Sequence, residues 1–234
     1  MLAIAAACIS GVSVFVNSLG VRSFADPVLY TTFKDGLVGL AFLVPLVFSA
    51  GLRAEYRRLD SRKWAWLVAL ALTGGSVPFA LFYSGLQVST ASTGALINHF
   101  QFVLVALFAA ALPRERLRPA VWAGMLVLLI GGVLGTQLDT LQWNTGALLI
   151  AGSTILFAID FVIAKYLLRD LATLTVMTAR MTLGTALLLT FVVVSDRWVS
   201  PTRLSASQWA FVLVTSGLGA ASAIIAFAIR QERR

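Results

Sequence analysis

The chain is poor in the side chains from which most enzyme and metal sites are built. Its 234 residues hold one cysteine, one histidine and ten acidic residues, and only 12% of positions are charged. The lone Cys8 excludes an internal disulfide, and no Cys/His set has metal-ligand spacing. The Gly-x-Ser-x-Gly, His-Glu-x-x-His and phosphate-loop signatures are missing as well. No cofactor is implied, and the expectation is a protein that is not an enzyme. The shortage of charge excludes more, because a soluble domain carries about 25% charged residues to cover its surface.

What the chain has instead is hydrocarbon, since 59% of its residues are hydrophobic. A membrane span needs about 20 mostly apolar residues, and such runs recur here between short polar breaks. The fold class expected is an all-α integral membrane protein, because lipid-exposed backbone must satisfy its own hydrogen bonds. Eight predicted transmembrane helices follow: Leu2–Leu19, Val28–Ala50, Trp64–Tyr83, Ala91–Leu112, Pro119–Leu138, Asn144–Leu168, Ala172–Val194 and Ser207–Ile229. The first is read as a span and not a removed signal, since it lacks a charged leading region and a small-residue cleavage site. Trp64, Trp66, Trp143, Trp198 and Trp209 fall near span ends, where tryptophan favours the interface.

The net charge of +8 is carried by residues in the breaks, which argues against nucleic-acid binding and for topology. Arg53, Arg57, Arg58, Arg62, Lys63, Arg114, Arg116, Arg118, Arg169, Arg230, Arg233 and Arg234 lie on one side, and Arg22, Arg197 and Arg203 on the other. Twelve against three predicts a cytoplasmic-membrane protein with both termini in the cytoplasm.

A weak internal repeat is visible. Phe15-Val16 recurs as Phe161-Val162, and Lys34 has Arg180 at the same spacing. Trp64-Ala65-Trp66 recurs as Trp209-Ala210-Phe211, with Gly74 matched by Gly219 and Phe82 by Phe227 one residue out of register. The unit is five spans, and an odd number enters the second copy into the membrane upside down, as in inverted-repeat transporters. Residues 1–138 form the first copy and 144–234 an incomplete second copy of three spans.

Three stretches carry a resemblance to a known family. They are Leu86-Gln87-Val88-Ser89-Thr90-Ala91-Ser92, the break Arg114-Glu115-Arg116-Leu117, and the glycines Gly124 and Gly131-Gly132. Spans three to five resemble an EamA domain of the drug/metabolite transporter superfamily. Phe157 through Lys165 is similar to the opening of that family's second domain. Members often carry a proline in mid span four, where this chain reads Phe100-Gln101. They typically have ten spans, so the resemblance implies that the last two are lacking. It also implies transport of a small organic metabolite or drug-like solute. Glu115 and Arg116 match the family's turn motif, and capping or local ion pairing explains them without a catalytic role.

Ionisable groups inside a span cost about 2.5–3.5 kcal/mol each on insertion scales, so each calls for a reason. Lys34, Asp35, His99, Asp160 and Arg180 are such groups. His99 shares a helical stripe with Ser92, Ala95, Val103 and Ala106, beside Ala91, Gly94, Asn98 and Gln101. Leu96, Phe100, Leu104 and Leu107 make the bulky opposite wall, so the polar wall is expected to face protein or a cavity. Asn98, His99 and Gln101 either bind a polar solute at mid-depth or bond neighbouring helices. Lys34 and Asp35 are adjacent, hence about 100° apart, and are not expected to share one partner. Lys34 and Arg180 together suit an anionic or carboxylate-bearing solute, but the reading preferred is a buried structural ion pair, for example Asp160 with Arg180, since intramembrane charges usually pair with one another. Asn17 is a lesser candidate, read first as a helix–helix hydrogen bond.

The function expected is a secondary transporter or facilitator moving such a solute across the cytoplasmic membrane. Its partners are the lipid bilayer and the small-molecule solute, with His99 or Asp160 as candidates for proton coupling. Gly131-x-x-x-Gly135 permits close helix approach and hints at a homodimer. A truncated, non-transporting membrane subunit and a membrane transferase are the competing readings.

Overall fold

The computed structural model describes residues 2–110, 119–134, 141 and 143–231, with side chains throughout except at 2–7, 10, 109 and 222–231. All regular structure among the described residues is helical. The order is α1 (Leu2–Arg22), α2 (Pro27–Phe48), α3 (Ala50–Arg57), α4 (Ser61–Leu70), a π-turn (Ala71–Ser76), α5 (Val77–Val88), α6 (Ala91–Ala110), α7 (Pro119–Leu134), α8 (Thr145–Leu167), α9 (Thr173–Val194), a 3-10 turn (Pro201–Arg203) and α10 (Ala206–Gln231).

The starts of these helices are set by short polar residues that accept from otherwise orphaned N–H groups. Asp26 accepts from Val28 N ahead of Pro27, and Asn144 accepts from Ala147 N. Asp60 caps α4 through Lys63 N. Ser49 ends α2 with its own N–H on Pro45 O and starts α3 with its hydroxyl on Leu52 N. The second expected span therefore stops at Phe48, and the chain turns into the short amphipathic α3. The third is not one uniform helix, because a π-turn interrupts it over Ala71–Ser76.

Within the described residues the expected segments overlie helices, the third being split by the π-turn, and residues 111–112 and 135–138 of the fourth and fifth lie outside the described residues. By length and composition, five stretches of the described chain can cross a bilayer: Pro27–Phe48, Ser61–Val88, Ala91–Phe108, Thr145–Leu167 and Thr173–Val194. Large apolar side chains face outward on the bundle, among them Phe48, Val127, Leu134 and Leu148. A bundle with its hydrocarbon turned outward is what a multi-pass membrane protein requires, since lipid is as apolar as a core.

α2 and α9 pack on one another in the middle of the molecule. α1 lies against α10, α8 against α4 and α5, α10 against α2, and the π-turn against α9. Two apolar clusters flank the centre. One gathers Tyr30, Phe33, Phe82, Tyr83, Ile150 and Leu188. The other gathers Leu67, Leu70, Ile163, Leu167, Val176 and Ala179. Along α8, α9 and the third span, Asp160, Arg180 and Gly74 fall between these two clusters, whereas Lys34 and Asp35 on α2 adjoin the first, between Phe33 and Leu37.

Candidate functional site

Lys34 and Asp35 are both about 6% exposed, so neither reaches bulk solvent. Lys34 Nζ lies 3.1 Å from Asp35 Oδ1 and donates to Tyr83 Oη at 2.7 Å. It also sits over the Phe79 and Tyr83 rings, 4.8 and 4.5 Å from their centroids. Adjacent on α2, the two side chains close on each other. Lysine's four-carbon stem bends its ammonium round to its neighbour, and the aromatic faces of α5 hold it there. The backbone at this level is tied down as well: Ser216 Oγ donates to Lys34 O (2.9 Å) and Thr185 Oγ1 to Asp35 O (2.9 Å).

On the other side of the centre, Arg180 Nη2 pairs with Asp160 Oδ2 at 2.9 Å. The same nitrogen donates to Gly74 O at 3.0 Å. The third span can come this close only because residues 74 and 75 lack side chains. A Cβ on Gly74 would sit 1.9 Å from Asp160 Oδ1, and one on Gly75 would sit 2.3 Å from Arg180 O. Gly184 meets Gly75 in the same way, backbone to backbone. The two ion pairs sit on helices that pack together, since Lys34 and Asp35 lie on α2 and Arg180 on α9. Asp35 Oδ2, Asp160 Oδ1 and Arg180 Nε are buried without a hydrogen-bond partner among the described residues. Burial without a partner costs about 1–3 kcal/mol per group, and more when it is charged. Sites with open valences of this kind are suited to a polar ligand.

Asn17 enters through an aromatic relay. Tyr30 Oη donates to Asn17 Oδ1 at 2.7 Å and lies 3.1 Å from Thr215 Oγ1, and its ring meets Tyr83 edge-on at 5.6 Å. Asn17 therefore joins α1 to α2 and, through Tyr30, to α10. The sequence reading missed Tyr30, Phe79, Tyr83 and Thr215. The sequence offered little signal for them, since the expected spans Val28–Ala50 and Trp64–Tyr83 put both tyrosines near span ends, where such rings usually lie.

His99 stands apart from the charged cluster. It lies against α7, where a Cβ on Gly132 would come within 3.2 Å of His99 Nδ1. His99 Nδ1 and Asn98 Oδ1 are buried and unpartnered among the described residues, and Gln101 is half-buried. The expected bulky outer wall is only partly outer. Phe100 and Leu107 are both 47% exposed, but Leu96 is 7% exposed. At the level of Leu96 the helix is enclosed on that side too, since α6 there packs against α8. Glu115, Arg116 and Gly135 lie outside the described residues. Gly131 has open space beside it within the described chain. A cavity of about 270 Å³, lined by Val16, Phe211 and Val214 among others, is an apolar groove between α1 and α10, away from the charges.

Hydrogen bonds join neighbouring helices at both ends of the described bundle. At the end rich in arginine, Glu55 Oε1 accepts from Ala172 N at 2.9 Å, and its Oε2 accepts from the Thr175 hydroxyl. Ala172 cannot cap α9 itself, so a carboxylate from α3 does so. Tyr56 Oη donates to Thr175 O at 2.6 Å, and burial pushes its hydroxyl above the ordinary tyrosine range. Lys63 pairs with Asp170 at 3.4 Å on the same side. At the opposite end, Arg22 Nη2 donates to Ser89 O (2.9 Å), Gln87 Nε2 to Phe24 O (3.0 Å) and Gln208 Nε2 to Ser23 O (2.8 Å).

The chain is 22% identical over 193 residues to an uncharacterized transporter, YyaM, of Bacillus subtilis (strain 168), covering 80% of this chain and spanning 62% of that protein's length. A solved crystal structure superposes with a TM-score of 0.61 at 23% identity, over 95% of this chain and 79% of the other, which establishes a shared fold. The EamA-like transporter family matches residues 1–136 and 144–233, which is nearly the whole sequence, and the chain belongs to that family.

Proposed function

We propose that the chain is a secondary transporter or facilitator that carries a small organic metabolite or drug-like solute across the cytoplasmic membrane. The observation that carries this reading is the two buried ion pairs, Lys34 with Asp35 and Asp160 with Arg180, with three of their polar atoms left open. In an apolar medium those atoms gain by meeting a polar solute, and Arg180 suits a carboxylate or another anionic group. His99, Asn98 and Gln101 line a secondary polar stripe, and Asn17 supports the cluster through Tyr30.

The route runs between residues 1–138 and 144–234, taken as inverted copies within eight spans. The packing supports this reading. Exchanging α1 with α8, α2 with α9 and the third span with α10 turns the α1–α10 contact into the α8–third-span contact, and leaves α2–α9 in place. Rocking of the copies would open the bridged ends in turn. Protonation of Asp160 would release Arg180 and offers a means of proton coupling, with His99 as the second candidate. The arginine distribution supports an orientation with both termini in the cytoplasm. The outward small-residue face at Gly131 suits a homodimer.

The test is reconstitution of the purified chain in liposomes loaded with a small-molecule cell extract, with efflux read by mass spectrometry. Selective loss of one solute class, absent from empty vesicles and from R180Q vesicles, is expected. Equal leakage from all three would overturn the transport reading and leave a non-transporting membrane subunit. Proton coupling fails separately if flux ignores a collapsed pH gradient at matched membrane potential.

A further inference from the structure

We propose that the turn between α3 and α4 binds the phosphate of an anionic phospholipid through Arg57, Arg58 and Arg62. Arg57 ends α3, Arg58 is its C-cap and Arg62 lies in the first turn of α4, so the three guanidiniums bracket one short turn. All three are exposed, and among the described residues none has an ion pair or a side-chain hydrogen bond. The acids that could answer them are engaged elsewhere. Glu55 accepts from Ala172 N and the Thr175 hydroxyl, Asp60 accepts from Lys63 N at 3.0 Å, and Asp170 pairs with Lys63. Arg53, the other arginine of α3, donates to the carbonyls of Leu46 and Val47. The C-terminus of α3 favours Arg57 and Arg58 through its dipole, but Arg62 stands at the end of α4 where a cation is opposed. A phosphate at that helix start answers the opposition, and a guanidinium fork fits its oxygens.

The rings beside the turn say which phosphate it takes. Trp64 stacks on Tyr56 at 5.7 Å, and Trp66 lies 5.5 Å from the Tyr166 ring. Trp64, Trp66 and Tyr166 are all exposed, and aromatic rings turned outward near a span end mark the headgroup level of a bilayer. Arg62 and Trp66 are one helical turn apart on the same face of α4. The guanidinium therefore stands on the aqueous side of the rings, level with lipid phosphates. A free phosphate would meet only the charges, whereas a phospholipid meets the charges and the rings together. The same short helix carries Glu55 and Tyr56, which hold the first turn of α9. A lipid bound at its end steadies α3 in that position.

The test needs no solute, so it fails independently of transport. The purified chain in neutral detergent is titrated with dioleoylphosphatidylglycerol or dioleoylphosphatidylcholine, and bound lipid is counted by native mass spectrometry. Phosphatidylglycerol should be retained in preference. A basic residue near an anionic surface is worth about fivefold in affinity, so R62Q should lose about fivefold and R57Q/R58Q/R62Q on the order of 100-fold. R203Q removes an exposed arginine from the turn before α10, at the opposite end, and should lose nothing. Should the triple variant fail to fold, the three single changes carry the test, each with about a fivefold loss. Equal retention of the two lipids by the wild type, or undiminished retention of phosphatidylglycerol by the variants, would overturn the proposal. So would displacement of the lipid by millimolar glycerol phosphate, which would make the turn a site for soluble anions.

Discussion

Arg180 carries more of the interior than any other single side chain. It pairs with Asp160 and holds Gly74 O. Removing one partner of a buried ion pair costs about 3–5 kcal/mol, because a charge is left uncompensated. The Arg180 side chain is 23% exposed and Asp160 only 3%, so losing the arginine strands the more deeply buried partner. R180Q is therefore expected to unfold well before the wild type in a thermal melt followed by tryptophan fluorescence, and D160N/R180Q should recover most of the loss. If the charge-swapped chain (D160R/R180D) restores neither folding nor flux lost in the single variants, pairing is not their role. Y83F makes a smaller demand. Lys34 would lose the 2.7 Å acceptor but keep Asp35, at a cost of about 1.5–3 kcal/mol for a hydrogen bond to a charged group. The identities of these charges were legible in the sequence, because ionisable residues stand out in hydrocarbon. Their partners were not. Tyr83 lies 49 positions from Lys34, and no local pattern announces that an aromatic on one span will cover a cation on another.

At the scale of elements, helices and their order followed from apolar run length, while the π-turn did not. Glycine and proline are common in spans, so Gly74-Gly75-Ser76-Val77-Pro78 reads as ordinary until α9 is seen lying against it. The close approach makes a sharp prediction. A methyl on Gly184 would meet Gly75 O at 2.4 Å, backbone that has no rotamer to change. G184A should destabilise by about 1–3 kcal/mol through overpacking, whereas G124A, with nothing within 4 Å, should be silent in the same melt. The first turn of α9 depends on α3 in a different way. E55Q weakens the cap at Ala172 N and Thr175, so amide exchange over residues 172–176 should accelerate while residues 188–192 hold steady. Faster exchange along the whole of α9 would mean that Glu55 supports the fold generally and does not latch that end.

The whole molecule brings these together as a bundle whose described helices are bridged at each end and carry buried ion pairs between. The contacts that bridge the arginine-rich end join α3 and α4 to the α8–α9 turn, whereas those at the other end join the α1–α2 turn to α5 and α10. Which end faces the cytoplasm decides how the charges are used. The negative surface of the inner leaflet attracts arginine and lysine, and Arg53, Arg57, Arg58, Arg62 and Lys63 crowd the loop after α2. A single cysteine at position 58, in a chain whose exposed Cys8 is replaced by serine, should be reached by an impermeant maleimide only from the cytoplasmic side of oriented vesicles. A cysteine at position 200, in the turn before α10, should be reached only from the opposite side. Reversed labelling would invert the molecule, and labelling of both from one side would remove the odd-numbered repeat on which the inverted pathway depends. The two positions are separated by the third span through α9, so a single pair of reagents reads both the orientation and the parity of the spans between them.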